Sequence, residues 1–163
     1  MNIRAFVLLL SLLSPSIFAA DPPYNSNRNK GAIRGYDPVA YFDLEPGAKA
    51  VKGRAKYAYI WKGVRWNFAT QDNLRKFQSD PDAYAPQYGG YCAFAVGKGF
   101  TTSIRPNSWQ IHDGKLYLNY NDASLKLFNK NIEGRIVKAS SNWPEVLKNC
   151  EKHRNCRKPQ KLD

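Results

Sequence analysis

Apolar and polar residues alternate with two different periods along this 163-residue chain. Val64, Trp66 and Phe68 alternate with Arg65 and Asn67, the two-residue period of a half-buried strand. Residues 57–61 (YAYIW) precede that run across Lys62-Gly63, which predicts a hairpin. Residues 108–112 and 115–120 flank Asp113-Gly114, a dipeptide strongly tied to two-residue hairpin loops. Between the hairpins, Leu74 and Phe77 have helical spacing. Thr70 or Asp72 can cap that helix, and Pro81 marks its end. After Asn121 the apolar positions are Leu125, Phe128, Ile132, Ile136 and Val137, again helical. Asn142-Trp143-Pro144-Glu145 predicts a fresh last helix, with Asn142 as cap and the proline in its first turn. The pattern predicts one small α+β domain: two antiparallel hairpins, a middle helix and C-terminal helices.

The ends of the chain follow other rules. Arg4 precedes an apolar run from Ala5 to Leu13, broken by Ser14-Pro15-Ser16 and followed by the small residues Ala19 and Ala20. This is the layout of a secretory signal peptide over residues 1–20. The run is far shorter than the roughly 20 residues a membrane span needs, so no transmembrane anchor is expected. Residues 21–31 (DPPYNSNRNKG) read as a flexible lead-in, residues 32–147 as the domain, and residues 148–163 as a basic tail.

Composition changes this picture only slightly. The net charge is +12, and removal of the signal peptide takes one positive charge with it. The tail holds six basic and two acidic residues, so it concentrates charge that can meet an anionic envelope surface. In an exported protein such charge is read against envelope partners, and nucleic acid recedes as one. Export also means an oxidising compartment, where disulfides persist. The expected location is therefore periplasmic or secreted.

Three cysteines carry the candidate chemistry. Cys150 and Cys156 bracket five residues. A continuous helix would hold their Cα atoms about 9 Å apart, beyond disulfide reach of about 7 Å, so a disulfide between them requires the helix to end first. The other reading is a Cys150/His153/Cys156 metal half-site, at a spacing unlike paired-cysteine fingers. Cys92 follows Tyr88-Gly89-Gly90-Tyr91. If those glycines lead into a helix, its first turn lowers the thiol pKa and favours the thiolate. The bland alternative is a small buried hydrophobe. His112 can pair with Cys92, although its place beside a hairpin turn favours exposure. Asp37, Asp43 and Glu45 are close in sequence with nothing to bring them together. No nucleophile elbow, phosphate-binding loop or zinc-protease helix is present.

Gly35-Tyr36-Asp37-Pro38-Val39-Ala40-Tyr41-Phe42, residues 61–69 (WKGVRWNFA), residues 84–93 (YAPQYGGYCA) and residues 113–120 (DGKLYLNY) together resemble the YHS-domain (seleno)protein family. The resemblance covers about residues 32–143. In some members selenocysteine stands at the position of Cys92, which implies redox or soft-metal chemistry there. The broader YHS domain is associated with metals including copper. Its cysteines lie in an Asp-Pro-Val-Cys turn and a Phe-Cys-Ser-x-x-Cys corner, and here Ala40, Ala69 and Asn73 replace them. The resemblance thus implies that any metal falls on Cys92, with His112 as a second ligand. The expectation is an exported, non-catalytic domain binding a soft metal such as a copper ion through Cys92. One alternative is a thiol reductant or peroxide sensor with Cys92 as its catalytic thiolate. Another is a metal-free envelope interaction module.

Overall fold

The computed structural model describes residues 24–27 and 29–153, with side chains through Cys150. The signal peptide and residues 154–163, which hold Cys156 and most of the basic tail, lie outside the described residues. Both expected hairpins form. Strand β3 (Arg54–Trp61) pairs antiparallel with β4 (Val64–Phe68), and β5 (Arg105–His112) with β6 (Lys115–Asn119); β1 and β2 are defined below. Each turn places both central residues at positive φ: Lys62 (46°) with Gly63 (74°), and Asp113 (47°) with Gly114 (66°). That is the type I′ geometry, whose twist matches the strands. Both hairpins carry an irregularity, between Arg54 and Ala58 and between Arg105 and Trp109.

The middle helix α1 (Gln71–Ser79) starts at Thr70, whose side chain accepts from the Asn73 N–H at 3.1 Å. It is followed by the short α2 (Pro81–Tyr84), capped by Asp80. Helix α3 (Ala93–Val96) is a single turn. Helices α4 (Asp122–Asn129) and α5 (Ile132–His153) close the domain.

The structure departs from the sequence pattern in two places. The lead-in is folded from Tyr24 onward: β1 (Ser26–Asn27) pairs with β2 (Gly31–Ala32) in a third small hairpin. The Tyr24 ring packs 5.4 Å from Trp66, and Asn25 reaches the carbonyls of Gly89 and Gly90. No fresh helix begins at Asn142, because α5 runs through Pro144. The Asn142 side chain instead donates to the Val96 carbonyl at the end of α3, 3.0 Å away. The i−4 acceptor that Pro144 cannot serve belongs to Ser140, on an exposed turn where water can replace the lost bond.

The main core lies between the hairpins and α1. Trp66, Phe68, Phe77, Tyr41, Leu116 and Leu118 are all completely buried there. Trp61, Trp66 and Phe77 meet at centroid distances of 5.3–5.9 Å. Each such side chain contributes roughly 1.5–3 kcal/mol by burial. A second cluster under α5 joins Tyr88, Tyr91, Tyr117, Phe128 and Ala139, with Trp143 against it.

Candidate functional site

Cys92 is sealed inside the molecule, with 1% of its surface exposed. Tyr88, Gly89 and Gly90 all take positive φ and wind the chain tightly. A Cβ on Gly90 would stand 2.7 Å from the Ile33 side chain, so only glycine fits. This turn delivers Cys92 to the N-cap of α3, one position before the first turn. Its thiol points at the Asn119 side-chain oxygen, 3.7 Å away, which also accepts from the Phe94 N–H. Burial pushes the thiol above its ordinary range and outweighs the lowering pull of nearby backbone groups at Ala95, Tyr120 and Phe94. The expected lowering is reversed, because a four-residue helix supplies little dipole and the site little water.

His112 does not join Cys92. Cys92 bridges to Leu118 on β6, and Leu118 pairs with Trp109 on β5. His112 lies three residues further along, about 10 Å at the rise of a strand. Its Nε2 sits 3.6 Å from Asp113 Oδ2 at the turn. Among the described residues, no three His, Cys, Asp or Glu side chains gather as metal ligands. A buried thiol facing an amide oxygen is a poor donor set for Cu(I), which takes soft, ionised sulfur. The residues around Cys92 therefore do not fit a copper ion. Cys150 is buried near the end of α5, with its Sγ 3.9 Å from the Thr101 hydroxyl. Its pairing with Cys156, and the half-site with His153, reach beyond the described side chains.

Ala40, Ala69 and Asn73, the positions at which the resemblance expects cysteines, converge on Asp37. This completely buried carboxylate accepts from the N–H groups of Val39 (2.8 Å) and Ala40 (3.2 Å) on one oxygen. Its other oxygen accepts from the Ala69 N–H and the Asn73 side-chain amide, both at 2.7 Å. Four donors saturate it. The corner ties the Asp37 turn to the end of β4 and the start of α1. Asp43, by contrast, is exposed and reaches Lys76, so the sequence-adjacent acids do not converge.

The open site is elsewhere. A cleft of about 770 Å³ lies over the polar face of β4, between the β2 segment and the start of β5. Lys30, Arg34, Lys52, Arg65 and Arg105 line it, with Asp122 as its one carboxylate. Asp122 accepts from the Ser108 hydroxyl. Among the described residues, none of the five cations forms an ion pair. Arg34 donates to the Ile104 carbonyl at 3.1 Å and Arg65 to the Asn29 carbonyl at 2.7 Å, bonds that hold the guanidiniums without neutralising them.

No family model matches this chain, and neither a curated protein nor a solved structure shows significant similarity to it. Sequence reasoning missed the cleft by assigning charge to the tail. The available signal was Arg65 and Asn67, the polar half of the alternation in β4, which faces a cleft rather than bulk water.

Proposed function

We propose that this chain is an exported, non-catalytic binding module that recognises a negatively charged partner through the basic cleft. The observation that carries this reading is the convergence around one cavity of five cations that have no carboxylate ion-pair partner among the described residues. Like charges held together raise the local potential and favour an anion from solution. The strongest sequence candidate, Cys92, is buried and supports packing rather than chemistry at the surface.

The test is titration of the purified mature protein with dextran sulfate at several salt concentrations. Lys52→Gln with Arg105→Gln should weaken binding by about tenfold, while Lys126→Gln with Lys138→Gln, equal in charge and outside the cleft, should not. Equal losses in the two variants would overturn the reading. The copper and redox alternatives are tested on the same preparation. One equivalent of Cu(I) lost in Cys92→Ser, or rapid alkylation of native Cys92, would favour them instead.

A further inference from the structure

The cleft carries more than charge. Two of its side-chain atoms are buried without a hydrogen-bond partner among the described residues: Arg65 Nε, a donor, and Asn67 Oδ1, an acceptor. Both side chains project from the same face of β4, two residues apart, so they stand side by side about 7 Å apart along the strand. Such groups are ordinarily satisfied, and an orphaned pair of opposite kind calls for a ligand that both accepts and donates.

The surrounding backbone packs closely against this face. A Cβ on Gly31 would lie 2.4 Å from the Arg65 carbonyl oxygen. One on Gly35 would lie 2.7 Å from that of Lys30, and one on Gly53 2.5 Å from the Asn67 backbone. Glycine is thus required at three points where neighbouring segments close on the cleft floor. Next to them, Ile33 and Arg34 sit at φ of 40° and 64°. A β-branched residue at positive φ is a real outlier and persists only where its surroundings enforce it. Here Ile33 is buried in the core while Arg34 is delivered to the cleft.

We propose that the cleft binds a small hydroxylated oxyanion, of the class of an acidic monosaccharide. Its charged oxygens, carboxylate or phosphate, accept from Arg65 and Arg34, and a neighbouring hydroxyl donates to Asn67 Oδ1 once the side chains lining the cleft shift to admit it, because both orphaned atoms are closed off in the free protein. The cavity is large enough to admit a ligand of that size. This inference rests on the binding-module reading and adds its ligand chemistry.

The experiment is calorimetric titration at low ionic strength with glucose 6-phosphate, glucuronate, inorganic phosphate and glucose, on metal-free protein whose thiols are counted in the same sample. At least one acidic sugar should bind about tenfold more tightly than glucose and than inorganic phosphate. The stronger of the two tells phosphate from carboxylate. Arg65→Lys keeps the charge but removes Nε, and should weaken that ligand about fivefold or more. Arg105→Gln, at an exposed side chain, should weaken it without disturbing the fold. Absence of binding by both sugars, phosphate binding as tightly as the sugar phosphate, or indifference to both variants would overturn the inference. Absent binding with an unreactive Cys92 leaves the module reading standing with a different anionic partner. Tight copper or a reactive thiol overturns that reading whatever the cleft binds.

Discussion

Cys92 and the cleft over β4 are opposites. The cysteine sits in the most distinctive stretch of sequence, yet it is walled in, its thiol held protonated by burial and aimed at an amide. The cleft is made of residues scattered from Asn29 to Asp122, none of them notable alone, yet it gathers five cations against one carboxylate and holds orphaned polar atoms. A conspicuous motif can therefore be conspicuous for packing. The Tyr-Gly-Gly-Tyr-Cys turn satisfies steric demands, since Gly90 lies against Ile33 and Tyr88 hydrogen-bonds to Ser140 at 3.0 Å. If this contrast is right, substitutions on the sealed side cost stability and leave binding alone, whereas those in the cleft do the reverse.

The largest loss should come from Asp37→Ala. It strips four donors of their acceptor in a buried corner, at a cost of about 3 kcal/mol or more. Urea denaturation reads this directly, and a loss below about 1 kcal/mol would mean that water reaches the corner. Gly90→Ala should follow, at about 2 kcal/mol, from positive φ and the clash with Ile33. Neither should alter anion affinity in the fraction that remains folded.

Cys92 supplies a finer test through pH. Its folded-state pKa is raised, so the unfolded chain loses the thiol proton first as pH rises. The stabilisation is fully present below the ordinary thiol value of about 8.5 and declines above it. Tyr117, pushed up to about 12 chiefly by burial, extends the decline from about pH 10 upward. Thermal melts should therefore fall between about pH 8.5 and 12. Cys92→Ala should flatten the first part of that fall only. A wild-type melt unchanged up to pH 10 would contradict the sealed environment.

How much of this was legible in the sequence follows from the range of the interactions. The hairpins were legible because their turns are local: Lys62-Gly63 and Asp113-Gly114 are neighbours in sequence. Thr70 as a cap was legible for the same reason. Asn142 misled because a capping residue and a tertiary donor look alike, and its partner, the Val96 carbonyl, is remote in sequence. The lead-in misled because its polar composition hides Tyr24 and Asn25, which dock onto Trp66 and the glycine turn. At the candidate site, Ala40, Ala69 and Asn73 could be read as absent ligands, but not as partners of Asp37. Of the cleft only the polar half of the β4 alternation, Arg65 and Asn67, was legible, since only the fold assembles its five cations.

The smallest expected effect is the most discriminating, because its sign is unusual. Removing an exposed charge normally changes stability by less than about 0.5 kcal/mol in either direction. Lys52 and Arg105 are exposed, have no ion-pair partner among the described residues, and share a cavity with three other cations. Each feels net repulsion in the folded state that the unfolded chain dilutes. Lys52→Gln and Arg105→Gln should therefore stabilise the free protein by a few tenths of a kcal/mol at low salt. The gain should vanish once the Debye length falls to about 3 Å near 1 M salt. It should also reverse when the anionic ligand is present, because the wild type then gains binding energy that the variants lack. A cleft that stores repulsion for a ligand to relieve must show all three behaviours. If either substitution destabilises the free protein at low salt, that cation is already spent on a contact within the fold, and the contrast with Cys92 fails at that residue.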